Sequence, residues 1–284
     1  MQAKTTRKRI AVVAPANTVK RETAQKIEAL VAAHFADRAE VVFHPQCFLS
    51  EGHFAGPDAA RRAAFIEVAE DPAFAAVWFG RGGYGSGRLG ADFYETLGPA
   101  ARAKIYLGYS DLGFMLARLD RLGIGRPVHG PMASDVNRPG GEAAALRALA
   151  FLVDGDERGL EPQARGGAIA LNLTVLCHLL GTPFEPDFSG RVLMIEEVSE
   201  QHYRIDRALL QATSTPSVRR AAGIMLGRVS DAAPNDPDFG ATEEAIVRDW
   251  CGRSGVPYLG RADIGHDAEN RIVPFRAGRA RRIA

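Results

Sequence analysis

Five apolar runs, "RIAVVAP", "EVVFHP", "AAVWF", "KIYLGY" and "RPVHGP", punctuate the first half of the chain. Most of the segments between them, such as "ETAQKIEALVAAHFA", "DAARRAAFIEVAE" and "LGFMLARLDRLG", carry apolar residues at helical spacing. Strands that alternate with helices can pair only in parallel, which predicts an α/β fold built on an open, mostly parallel sheet with flanking helices. Unbroken apolar runs belong to strands buried on both faces, so Ile10 to Ala14 is expected as a central or near-central strand. Asp58 stands where an N-cap of the second helix would be. "GEAAALRALAFLVDG" closes this half as a helix, and the breaker-rich "DGDERGLEPQARGG", Asp154 to Gly167, marks a boundary. The reading divides the chain into an N-terminal α/β unit, 1–153, and a smaller mixed α/β unit, 166–284.

In the second half "TVLCHLLGTP" reads as a helix capped by Gly181, "RVLMIEEV" as a strand and "YRIDRALLQATS" as a helix. "AGIMLGRV" then reads as a strand and "TEEAIVRDWCGRSG" as a helix, before the short strands "VPYLG", "RIVPF" and "ARRIA". With 284 residues, 46% of them hydrophobic, the chain can bury a sizeable core. A formal charge of +1 offers no basic field for phosphate backbones, which argues against nucleic acid. No run approaches the ~20 apolar residues of a membrane span. "KTTRKR" before "IAVVAPA" imitates a secretory leader, but seven apolar residues equally make a buried first strand, the reading preferred here. Cys47, Cys177 and Cys251 are odd in number and lack metal-binding spacing, so they read as core thiols in a reducing, cytoplasmic compartment.

Two stretches invite chemistry. In "YLGYSDLGFML" a strand meets a helix at Ser110, which is either the helix cap or a nucleophile lifted above the carboxyl end of the sheet on a sharp turn. "GRGGYGSGRLG", Gly80 to Gly90, holds six glycines after a strand, so its backbone amides could face an anion. It lacks the G-K-[ST] of a phosphate loop, and the acid a dinucleotide site needs about 20 residues on is replaced by Gly108-Tyr109-Ser110. A serine nucleophile needs a base. His34, His44, His53, His129, His178, His202 and His266 are all available, each equally readable as a surface or core imidazole; His266, in "DIGHDAEN", lies in a strand-to-turn segment that could present it at a cleft. Glu196 and Glu197 end the strand "VLMIEE"; they either face solvent or orient that base.

Together "RGGYGSGRL", "LGYSD", "HGPM", "NLTVLCHLLGTP", "LMIEEVSEQHYRIDRAL" and "DIGH" resemble, in order from about Ile10 onward, the LD-carboxypeptidase family of serine peptidases, which includes muramoyltetrapeptide carboxypeptidases and microcin-immunity hydrolases. The resemblance implies a Ser-Glu-His triad of Ser110, Glu196 and His266, with backbone amides of Gly83 and Asp111 as the oxyanion hole. It implies release of a terminal D-amino acid from a murein tetrapeptide with no metal or cofactor, and a homodimer. The immunity branch, acting on peptide-nucleotide conjugates, is the alternative, and a non-catalytic protein holding an anionic ligand is the second. This chain departs from the family at "IALNL", where "GGNL" is usual, which puts the loop around Asn172 and its substrate contacts in question. It also reads "IEE" for the usual "LED".

Overall fold

A computed structural model of the chain describes residues 7–275. Six strands form the first sheet: β1 (Lys8–Val13), β2 (Ala39–Phe43), β3 (Phe74–Phe79), β4 (Ile105–Gly108), β5 (Arg126–His129) and, from much later in the chain, β10 (Val273–Pro274). Their order is β10-β5-β4-β3-β1-β2, parallel throughout except for β10. β1 is internal, one strand in from the edge, and Ile10 to Ala14 are fully buried. Helices α1 (Arg21–His34), α2 (Asp58–Glu70), α3 (Pro99–Arg102), α4 (Gly113–Leu122) and α5 (Gly141–Asp154) make the crossovers. The link between β3 and β4 holds α3 and 3₁₀ turns as well as the glycine-rich turn. Asp58 is not the N-cap of α2: Pro57 takes that position, and the Asp58 carboxylate pairs with Arg61 and Arg88.

The second sheet is parallel throughout, in the order β6-β7-β8-β9: β6 (Ala168–Asn172), β7 (Val192–Val198), β8 (Gly223–Ser230) and β9 (Tyr258–Arg261). It carries α6 (Leu173–Leu179), α7 (His202–Ser214) and α8 (Glu243–Ser254). β6 occupies the "IALNL" departure, so Asn172 ends a strand instead of sitting in a loop. There its Oδ1 caps α6 by accepting from Val175 N at 3.0 Å. Gly181, at φ +75°, lies just beyond α6, as expected of a helix stop. The segment "ARRIA" lies outside the described residues. Among those described, no helix is long and apolar enough to cross a membrane.

"RIVPF" leaves the second sheet altogether. β10 pairs antiparallel with β5, and its neighbours alternate faces: Ile272 sits in the core with Val128 and Leu149, while Val273 and Phe275 join the core shared with β6 and β7. Arg191, at the start of β7, donates to the Phe275 carbonyl and pairs with Asp120 of α4 at 2.6 Å, tying both sheets together. A fully buried isoleucine at such a junction predicts that Ile272→Ala costs about 2 to 5 kcal/mol. Urea unfolding checks this, and a loss below about 1 kcal/mol would mean the strand does not tie the sheets.

Candidate active site

β3 and β4 are hydrogen-bonded neighbours, so the turns that follow them meet side by side above their carboxyl ends. After β4 the chain is extended at Tyr109 and then turns at Ser110 with φ +59°, a left-handed conformation that costs a non-glycine residue about 1 to 2 kcal/mol. Such a turn lifts Oγ clear of the sheet. Neither Ser110 nor Asp111 caps α4 with its side chain, which removes the capping alternative. After β3, Gly82 touches the same hydroxyl: a Cβ there would fall 3.1 Å from Ser110 Oγ. Gly83 has φ +105°, and a Cβ would collide with the Asn17 amide at 2.3 Å. Only glycines let this turn approach so closely.

The two turns are locked together. The buried Asp111 carboxylate accepts from Ser86 N at 2.7 Å, and Ser86 Oγ donates to the Asp111 carbonyl at 2.6 Å. Burial pushes the Asp111 carboxyl above its usual range, against the hydrogen bonds from Ser86. Arg61, fully buried on α2, donates to the carbonyls of Pro15, Gly56 and Gly85 and so braces the far side of the glycine-rich turn.

From the other sheet, Glu196 on β7 and His266 in the turn after β9 arrive at this point. His266 Nε2 lies 3.1 Å from Ser110 Oγ, and its Nδ1 lies 2.5 Å from Glu196 Oε2. Alternation along β7 sends Glu197 the other way, where its carboxylate accepts from Asn172 Nδ2 at 2.6 Å and from Thr174 N and Oγ1. Burial disfavours the charged imidazole of His266, but the Glu196 charge and hydrogen bond outweigh it, so the His266 pKa lies above the usual histidine range. Burial likewise raises the Glu197 carboxyl, against the hydrogen bonds it accepts from Thr174, Val198 and Asn172.

Several supporting residues carried no legible signal in the sequence. Arg228 reaches from β8 to Asp263 and Asp267 on either side of His266, and Arg138 donates to the His266 carbonyl at 2.8 Å. Asp135 accepts from Tyr109 OH at 3.0 Å and Arg138 Nε at 2.9 Å. Tyr109 itself lies against the His266 ring, centroids 4.8 Å apart. Of the remaining histidines, His129 is buried and bonded to Asn270 at 3.0 Å, and His178 sits beside the site. His34, His44, His53 and His202 line neither cavity next to Ser110.

Ser110 and His266 stand where two cavities meet, a cleft of about 1110 Å³ and a smaller one of about 710 Å³. Gly83 borders both, and Asp111 borders the smaller. A base within hydrogen-bond reach of a strained serine hydroxyl, oriented by a buried carboxylate and faced by two turns locked together, is an arrangement able to transfer acyl groups.

Models of the LD-carboxypeptidase N-terminal and C-terminal domains match residues 10–130 and 165–279. The murein tetrapeptide carboxypeptidase of Pseudomonas aeruginosa is 31% identical over 225 residues, spanning 72% of this chain and 71% of that protein. The crystal structure of muramoyltetrapeptide carboxypeptidase from Oxalobacter formigenes superposes with a TM-score of 0.77 at 25% identity, covering 93% of this chain and 92% of that one. MccF in complex with glutamyl sulfamoyl guanosine shares the fold at 15% identity, with a TM-score of 0.76 and 96% and 91% coverage. With both domains matched in order across a two-sheet α/β fold that unites a serine, a histidine and a glutamate, this chain belongs to the LD-carboxypeptidase family.

Proposed function

We propose that this protein is a cytoplasmic serine carboxypeptidase that cleaves the L,D-peptide bond of a murein tetrapeptide and releases its terminal D-alanine. The observation that carries the reading is the continuous chain Ser110 Oγ, His266 Nε2, His266 Nδ1, Glu196 Oε2, at 3.1 and 2.5 Å. The name of the Pseudomonas relative supplies the substrate class. With Nδ1–H directed at Glu196, the Nε2 lone pair faces the serine hydroxyl and takes its proton as Oγ attacks the carbonyl carbon. The amides of Gly83 and Asp111 hold the oxyanion, and their fixed spacing follows from the Ser86–Asp111 bonds. His266 then passes the proton to the departing amine, and water hydrolyses the acyl-enzyme by the same route in reverse roles.

The peptide-nucleotide alternative has one observation in its favour. Trp78 is buried and Trp250, on α8, lines neither cavity, so neither offers a platform, but Tyr84, Phe114 and Phe184 line the smaller cavity beside Ser110. A purely anion-binding role would leave the Glu196–His266–Ser110 chain without a use. Incubation with murein tetrapeptides, all-L analogues and an aminoacyl sulfamoyl nucleoside, read by mass spectrometry, separates the three. D-Alanine released from the tetrapeptide alone is the expected result.

Ser110→Ala removes one oxygen at a turn and is expected to abolish turnover with unfolding unchanged; retained activity would dismiss Ser110 as the nucleophile. Glu196→Gln is expected to lower kcat by on the order of 10³ to 10⁴. Glu197→Gln, which faces Asn172 and Thr174, is expected to cost less; the reverse ranking would assign the orienting role to the wrong acid. Because His266 must be neutral to accept the proton and its pKa is raised, the acid limb of kcat/KM lies above the ordinary histidine value of about 6.5. Glu196→Gln removes the charge that raises it, so the residual activity titrates at lower pH; an unmoved limb would detach Glu196 from the base.

A further inference from the structure

The two cavities that meet at Ser110 differ in charge. The larger is lined by Lys20, Arg21, Arg81 and Arg138 against Glu22 and Asp135, whereas the smaller sets Arg88 against Asp111, Glu197 and Glu200. A peptide cleaved at its last bond carries a free carboxylate on the departing residue, and a carboxylate taken from water needs a cationic partner. The departing residue therefore belongs in the larger cavity. Of its four cations, Arg138 is committed to Asp135 and to the His266 carbonyl, and Arg21 lies over the Phe48 ring at 4.6 Å. Lys20 is the exposed N-cap residue of α1, and its ammonium is a point charge without the planar fork that matches a carboxylate.

Arg81 is different. Among the described residues no carboxylate pairs with it; its Nη1 donates to Thr18 O at 3.2 Å, which steadies the guanidinium on the cavity wall with its other donors uncommitted. It directly precedes Gly82, which touches Ser110, and Gly83, so one turn would deliver both an oxyanion amide and a carboxylate-binding fork. We propose that Arg81 binds the free carboxylate of the departing residue and makes the enzyme an exopeptidase. This rests on the carboxypeptidase reading above.

The test compares kcat/KM for the tetrapeptide and for its C-terminal amide in wild type, Arg81→Gln and Lys20→Gln, each first shown to unfold like wild type. Wild type is expected to favour the free acid by on the order of 10²-fold, the size of a charge-assisted pair. Arg81→Gln is expected to bring that ratio within a few-fold of one through loss on the free acid alone, and Lys20→Gln to leave it unchanged. An Arg81→Gln enzyme that keeps the wild-type preference, or that loses both substrates equally, overturns the assignment. So does a wild type that cleaves acid and amide alike, which leaves the peptidase reading standing. A wild type that cleaves neither removes that reading and the inference with it.

Discussion

Glu196 is fully buried, and its one hydrogen-bond partner among the described residues is His266 Nδ1 at 2.5 Å. Its other oxygen, Oε1, has no partner there. A carboxylate in that position is costly unless an adjacent group can share its charge, and only the imidazole is placed to do so. The 263–271 turn must therefore stay in place. Arg228 holds it from β8, Arg138 from the first sheet's side, and Arg147 of α5 donates to the Ala268 and Asn270 carbonyls. β10 follows at once and anchors the end of the turn to β5. The contact between the two sheets and the contact between base and nucleophile are thus one arrangement.

On the nucleophile's side the same logic runs through backbone strain. Ser110 holds a left-handed φ at the start of a 3₁₀ turn, directly after the extended Tyr109. Asp111 converts that local strain into a fixed relation to the glycine-rich turn by accepting from Ser86. Mobility in either turn would separate the hydroxyl from the amides proposed above to hold the oxyanion, and misplacement by about 1 Å can cost 10²-fold in rate.

The first sheet was legible because its inner strands β1, β3 and β4 are largely apolar and buried, and apolar runs between helical segments read as parallel strands. β10 was legible as a strand but not as a member of the first sheet, since two residues that pair with a strand more than a hundred positions earlier leave no local trace. β6 was missed in "IALNL" because four buried residues before a capping asparagine look the same in a loop as in a strand. At the site, Ser110, Glu196 and His266 were found through motif order, with alternation along β7 separating Glu196 from Glu197. Asp135, Arg138, Arg228 and Arg61 were not, because a charged residue that will be paired with a distant segment looks in sequence like one that will be solvated.

The buried charges explain why the site is built as it is. Arg61, Asp111, Asp135 and Glu196 are all buried within the shell around Ser110. Apolar residues of similar volume would often make a fold as stable or more so, because they avoid the desolvation of ions. Hydrophobic packing, however, is non-directional and cannot fix a hydroxyl, an imidazole and two amides to fractions of an ångström. Arg61 binds three carbonyls from three separate segments, and Asp111 binds both atoms that Ser86 offers, each a directional constraint that an apolar side chain lacks. The protein therefore gives up stability at the carboxyl ends of β3, β4 and β7 in return for position. Its dry, unbroken cores around β1 and around β6 to β8 supply the stability that this exchange consumes.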